Sequence, residues 1–268
     1  MRTEVNDKRS NEAAIDRELC MYIMRRGPIR LSGRSAYLPG FDRISGWHAR
    51  RRKRLGKKVL PRISSSVVGP LQTNCYILSC PYTAEAIIVD PGADAEVIAA
   101  LVDQANLKPV MIVATHGHSD HIGGVAALQR RYGIDFALHE SDIDIVKRSI
   151  KEAPLWGLGT IEEPDITKTF KDGDEISFGR VTGKILHTPG HTIGGISILF
   201  EKFVIVGDTL FRRSVGRTDL YSGNMDDLTK SIKDILFKLP DETEVFCGHG
   251  QPTTIGEEKR DNPFVYLY

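Results

Sequence analysis

Seven consecutive residues constrain this chain more than any other stretch: Thr115-His116-Gly117-His118-Ser119-Asp120-His121. Three imidazoles and a carboxylate fall within six positions. Such groups cannot all enter an apolar core without partners. The stretch follows residues 110–114, a continuous apolar run that reads as a buried strand. A helical pattern over about residues 122–132, carrying Gly123-Gly124, comes after it. A loop at a strand end can aim all four groups at one point. Imidazole and carboxylate are ligands of zinc, iron or manganese, and coordination offsets their desolvation. His116, His118, Asp120 and His121 are therefore candidate metal ligands.

Three further segments repeat the arrangement. His187-Thr188-Pro189-Gly190-His191-Thr192 follows a strand pattern and carries a Pro-Gly turn signal. His191 is the candidate ligand there, and His187 reads as a strand-end residue supporting it. Asp208 in Val206-Gly207-Asp208-Thr209 and His249 in Cys247-Gly248-His249-Gly250 also stand just past strand patterns. Each is a weak signal alone. Four polar sites at four strand ends together imply one active-site edge. Six of the eight histidines are used in this way; His48 and His139 have no such context and read as ordinary polar residues. Cys247 reads as a small buried strand residue rather than a nucleophile.

The surrounding pattern is that of a layered α/β protein. Short strands are expected over 67–68, 74–78, 86–90, 136–138, 175–178, 181–186, 195–200, 203–206 and 244–246. A helix capped by Asp94 is expected to run to about residue 106, with Val97, Ile98, Leu101, Val102 and Ala105 on its apolar face. A late helix is expected over about 225–239, with Leu228, Ile232, Ile235 and Leu236 inward. The net charge of +1 hides an asymmetry: residues 1–62 hold 17 Lys/Arg and 6 Asp/Glu, leaving 19 and 29 for the rest. A basic, poorly ordered arm over 1–62 and an acidic globular domain over 63–268 follow from that split. The arm could contact nucleic acid, but no aromatic interleaving or folded binding motif accompanies its charges. It could also be upstream sequence from a misassigned start. No apolar run approaches the roughly 18 residues that span a membrane. Four cysteines with no C-x-x-C pair suit a reducing cytoplasm.

With the motifs in view, residues 63–268 resemble the metallo-β-lactamase fold superfamily, whose signature is H-x-H-x-D-H followed by His, Asp and His. The resemblance implies a four-layered αβ/βα sandwich with its site at the edge of the sheets. It implies two divalent metal ions, zinc first, with iron or manganese as alternatives. His116, His118 and His191 would hold one, Asp120, His121 and His249 the other, and Asp208 would bridge them. The runs Gly207-Asp208-Thr209-Leu210-Phe211 and Gly216-Arg217-Thr218-Asp219-Leu220 are most similar to small glyoxalase-II-related hydrolases. Glutathione-specific glyoxalase II has Cys-Gly-Lys-Phe-Tyr where this chain has Val215-Gly216-Arg217-Thr218-Asp219. It also has a C-terminal helical domain, for which the 19 residues after His249 are too few.

The activity implied is hydrolysis of a thioester or related small acyl substrate by an activated water, with Asp120 and Asp208 as catalytic carboxylates. Arg217 is the candidate contact for an anionic part of the substrate, with pairing to Asp219 as its rival role. Tyr221 is a candidate pocket residue. A persulfide dioxygenase holding one iron is an alternative, and so is a nucleic-acid-binding protein or nuclease using the basic arm. A β-lactamase is disfavoured because those enzymes usually place Cys where Asp208 stands. A flavo-di-iron protein is disfavoured because that family has Glu at the position of His118.

Overall fold

The computed structural model describes residues 59–266. Residues 1–58 of the basic arm, with His48, lie outside the described residues. Val59 packs against the core and the first strand starts at Arg62, so the fold takes in residues on the arm side of the charge boundary.

Two six-stranded sheets face each other. The first has β1 (Arg62–Val68), β2 (Thr73–Ser79), β3 (Glu85–Val89), β4 (Lys108–Val113), β5 (Asp135–His139) and β6 (Lys168–Phe170) in that spatial order. Its first three strands are antiparallel, and β3 to β6 run parallel. Helices α1 (Ala95–Gln104), α2 (Ser119–Ile122), α3 (Val125–Tyr132) and α4 (Ile143–Glu152) are threaded between these strands. The second sheet is built from β7 (Glu175–Phe178), β8 (Val181–His187), β9 (Ile196–Leu199) and β10 (Phe203–Gly207). The pair β11 (Leu210–Phe211) and β12 (Ser214–Val215) and helix α5 (Met225–Lys230) follow β10. Strands β13 (Glu244–Cys247) and β14 (Thr253–Thr254) complete the sheet, and α6 (Ile255–Asp261) closes the fold. The spatial order is β14-β13-β10-β9-β8-β7.

Alternation along the strands explains the four layers. Successive side chains of a strand face opposite sides. Tyr76, Leu78, Ile87, Val89 and Val113 enter the core between the sheets with Ile185, Ile198, Phe203 and Ile205. Their neighbours Ile77, Ile88 and Ile112 enter a second core with Ile98 and Val102 of α1 and Leu128 of α3. Val204 and Val206 face a third, with Leu228, Ile232, Leu236 and Ile255. Both faces of the central strands are covered, so these segments read as unbroken apolar runs. The four-layered αβ/βα sandwich is thus built by three cores. Among the described residues, no helix is long and apolar enough to cross a membrane.

Three local expectations are corrected. On α1 the buried stripe is Ile98, Ala99 and Val102, whereas Val97 and Leu101 are exposed. Asp94 is the N-cap residue, its carbonyl accepting from the Val97 and Ile98 amides, but it takes a left-handed conformation and its side chain makes no cap bond; its carboxylate accepts from the Gly69 amide at 2.8 Å instead. The helical pattern over 122–132 is split at Gly123-Gly124 into α2 and α3, where the Gly124 amide donates to the Pro91 carbonyl at 2.7 Å. The late helix is α-helical only to Lys230; a wide π turn (Ser231–Ile235) and a 3₁₀ turn (Leu236–Lys238) continue it. That change of pitch leaves Ile235 only partly buried, while Leu228, Ile232 and Leu236 stay inward.

Candidate metal centre

Every candidate donor lies just past a strand end or on the short helix after one. Chain segments from both sheets are stitched together there by backbone hydrogen bonds. The Asn74 amide donates to the Gly248 carbonyl and the Gly248 amide to the Gly207 carbonyl, both at 2.7 Å. The Ile196 amide donates to the Thr115 carbonyl at 2.8 Å. Asn74 Nδ2 reaches the carbonyls of Cys247 and Gly250 at 3.0 and 2.9 Å.

The histidine-rich loop is held from beneath by Asp90, which the sequence shows only as the end of a strand. Its carboxylate is fully buried and accepts from the Thr115 amide and hydroxyl, each at 2.7 Å. The Thr115 hydroxyl, having donated to Asp90, is free to accept from His116 Nδ1 at 3.1 Å. That chain of bonds sets the His116 tautomer and leaves the buried Nε2 with a lone pair. Asp90 Oδ2 also lies 3.0 Å from His121 Nδ1, an ion-pair separation outside hydrogen-bond geometry. Gly92 is required by close approach: a Cβ there would lie 1.5 Å from the Asp120 carbonyl oxygen.

Seven side chains converge. His116, His118 and His191 form one group, His116, His121 and Asp208 a second, and Asp120, His121 and His249 a third; within each group the donor atoms lie within 4.8 Å of one another. His118 Nδ1 and His191 Nε2 are 2.9 Å apart. His191 Nδ1 is directed at the Arg217 carbonyl at 2.8 Å, so its Nε2 presents a lone pair to the cluster. His249 Nε2 lies 3.3 Å from Asp120 Oδ2 and 3.5 Å from Asp208 Oδ2. Asp208 Oδ2 is also 3.6 Å from His191 Nε2, and Oδ1 is 3.4 Å from His121 Nε2. Asp208 thus stands within reach of both halves of the cluster. Gly248 leaves room for it, since a Cβ there would meet Asp208 Oδ1 at 2.1 Å.

The electrostatics fit a cation at this point. Burial, reinforced by the neighbouring imidazoles, holds His116 well below the usual histidine range and His118 down to about 3. Both are neutral and carry lone pairs. Burial works against charge on His121, but Asp120, Asp208 and Asp90 outweigh it and lift its pKa to about 10. Burial opposes the Asp120 carboxylate too, yet His121 and His249 pull it far below the usual range. The carboxylates therefore need positive charge beside them, which protons on His121 and His249 supply when nothing else does. His116 Nε2 and Asp208 Oδ1 are buried without a hydrogen-bond partner. Such orphaned donor atoms are costly unless an ion takes them up. These residues could hold a metal ion, and the donor set of imidazole and carboxylate suits zinc or iron.

A second buried carboxylate, Asp142, ties the two histidine loops together. Its Oδ2 accepts from the Gly117 amide and the Thr192 hydroxyl, each at 2.8 Å, and Oδ1 accepts from the Gly194 amide at 2.6 Å. Asp142 stands just before the apolar positions of α4, a helix-start pattern that could have marked it. His139, expected to be an ordinary polar residue, is buried and stacks on His187 with ring centroids 4.2 Å apart. His187 in turn meets the Ile193 carbonyl at 2.9 Å, beside the loop of His191. Cys247 is fully buried and its thiol is pushed up to about 12 by that burial, so it is inert.

The cluster opens into a cavity of about 490 Å³ that His118, Asp120, His191, Asp208 and His249 help to line. Arg217 and Tyr221 both line it. Arg217 is already in a two-bonded pair with Asp219, Nε to Oδ1 and Nη2 to Oδ2, each at 2.7 Å. The Tyr221 ring is covered by the Arg148 guanidinium at 4.3 Å.

Residues 68–249 match the family model described as the metallo-beta-lactamase superfamily. A relative named hydroxyacylglutathione hydrolase GloC, from Haemophilus influenzae, is 33% identical over 74% of this chain and 95% of its own. Among solved structures, BLEG-1, a B3 metallo-beta-lactamase, superposes with a TM-score of 0.70 at 34% identity, covering 76% of this chain and all of that one. TTHA1623 in a di-iron-bound form gives 0.69 at 36% identity, covering 75% and 99%.

Proposed function

Because the chain belongs to the metallo-beta-lactamase superfamily, we propose that it is a metal-dependent hydrolase of thioesters or related small acyl compounds. The observation that carries this is the convergence of seven imidazole and carboxylate side chains beside an open cavity that five of them line, three of the seven having a buried polar atom without a hydrogen-bond partner. His116, His118 and His191 would hold one divalent ion, Asp120, His121 and His249 a second, and Asp208 would reach both. When bound, such a pair supplies a water of lowered pKa and a Lewis acid for the carbonyl. The protein's own part is to fix the donors. The Asp90–Thr115–His116 chain sets one tautomer, and the Arg217 carbonyl sets that of His191. Asp120 and Asp208, both nearly buried, hold and orient the proton-bearing attacking water. The relative named hydroxyacylglutathione hydrolase supports an acyl substrate.

Metal-loaded protein is expected to contain about two ions per chain, because seven donors exceed what one tetrahedral ion needs. Elemental analysis checks this. A reproducible single iron with full activity and oxygen uptake on a persulfide would favour the dioxygenase alternative. The di-iron form of TTHA1623 makes iron a metal to test beside zinc.

The thiol carrier is expected to matter little. Arg217 is taken up by Asp219, so the cavity offers no unpaired guanidinium there to an anionic carrier. One acyl group carried on glutathione, coenzyme A and a simple thiol should give kcat/KM values within about 100-fold, roughly 2.7 kcal/mol of differential transition-state binding. A larger preference for glutathione would refute this part. A β-lactam is the second reading, favoured by the similarity to BLEG-1. Turnover of a β-lactam panel with none of the thioesters would establish it in place of the first.

A further inference from the structure

The cavity has a wall for which the hydrolytic step gives no reason. Ile145 of α4, Trp156 and Leu158 after it, and Phe211, Leu220 and Tyr221 all line it. Trp156 is 47% and Tyr221 57% exposed, large apolar surfaces left open to solvent inside a concavity. The two arginines among the lining residues contribute no free charge. Arg148 Nε lies 2.8 Å from Glu152, and its guanidinium covers Tyr221 at 4.3 Å. Arg217 is paired with Asp219, and its guanidinium lies 5.8 Å from the Trp156 ring. Each cation has a carboxylate partner and sets its guanidinium carbon over an aromatic ring. An apolar concavity with its charges satisfied internally is built for hydrocarbon.

We infer that this wall is an acyl-chain subsite, and that the substrates are thioesters of medium-length hydrocarbon acids. The chain lies against Ile145, Trp156, Leu158 and Tyr221 while its carbonyl reaches the donor cluster. This rests on the thioester reading above and names the acyl class that reading leaves open. Carriers such as glutathione or coenzyme A are polar and have no reason to occupy this wall. Full burial of a methylene would raise kcat/KM about fourfold. An open wall that buries about half of it gives about twofold per carbon.

The test is a series of N-acetylcysteamine thioesters from acetyl to decanoyl, turned over by the metal-loaded full chain. The expected result is a kcat/KM that climbs about twofold or more per carbon before levelling. Trp156→Ala is expected to flatten that slope; its half-exposed position makes it a mild change to the fold. A second readout avoids turnover. Trp47 and Trp156 are the two tryptophans of the sequence, so in a Trp47→Phe background the emission reports Trp156 alone. The uncharged thioether S-octyl-N-acetylcysteamine should change it saturably, and more tightly than the S-butyl compound does. Thioester hydrolysis that is flat or falls with chain length, with no emission change, would overturn the subsite and leave the thioesterase standing. Chain-dependent emission with no thioester hydrolysed would overturn the proposed function, and the acyl-thioester assignment with it.

Discussion

Asp208→Ala is expected to lower kcat/KM on any acyl substrate by roughly 10³-fold or more, about 4 kcal/mol of transition-state stabilisation. The carboxylate lies within 3.6 Å of donors in both halves of the cluster: His121 and His249 on one side, His191 on the other. On the proposed two-ion reading, its loss would remove a donor to each ion and one of the two carboxylates that would orient the water. The fold should survive. Asp208 follows β10, whose core contacts come from Val204, Ile205 and Val206. Oδ1 has no hydrogen-bond partner to lose. Asp208→Asn keeps the volume and removes the charge, so it should lose nearly as much activity, together with bound metal. His118→Ala should behave similarly through loss of one donor. The measurements are kcat/KM, metal stoichiometry and thermal unfolding on the same preparations. Wild-type turnover at wild-type metal content in Asp208→Ala would remove the residue from the mechanism. Unfolding of Asp208→Ala and His118→Ala alike would make the metals structural.

The cluster was legible in the sequence because imidazole and carboxylate side chains massed at strand ends are costly to bury unless they meet a common partner. His116, His118, Asp120 and His121 announce themselves by density. His191, Asp208 and His249 needed the shared strand-end context, and the structure brings all seven together. The groups that aim the donors were not legible. Asp90 and Asp142 look like any turn or helix-start acid, and their partners are 25 to 52 residues away in sequence. Sequence pattern records local period, not which distant amide a carboxylate will accept from. The apolar wall was missed for a related reason. Helix α4 buries a narrow stripe, Ile145, Val146 and Ser149, and Trp156 and Leu158 lie beyond its end. The α1 stripe was misplaced by one position because Val97 and Leu101 are apolar yet exposed. Apolar residues on a surface helix face do not by themselves say which side is covered.

Asp142 is where that hidden layer has the largest expected consequence. It is fully buried, and its three accepted bonds span the Gly117 amide in one histidine loop and Thr192 and Gly194 in the other. Burial raises its pKa while those three donors work to keep it ionised. Asp142→Ala would strand two buried amides and a hydroxyl, at about 1–3 kcal/mol for each unsatisfied group. Allowing for relaxation, a loss of about 3–5 kcal/mol is expected, which lowers Tm by about 10 °C for a domain of this size. The same loops carry His118 and His191, whose ring nitrogens stand 2.9 Å apart. Freed from each other, they should bind the ion they are proposed to share about 10–100-fold more weakly, the usual cost of losing a residue that orients metal ligands. Asp142→Asn should fall between, because its carboxamide oxygen can still accept while its NH₂ opposes a donor. Thermal unfolding of the metal-free protein reads the first effect, and competition with a chelator of known affinity reads the second. A wild-type Tm in Asp142→Ala would show that the loops are held by something else. A lowered Tm with unchanged metal affinity would make the carboxylate a clamp for the fold alone. Only the joint loss ties the buried acid to the geometry of the site.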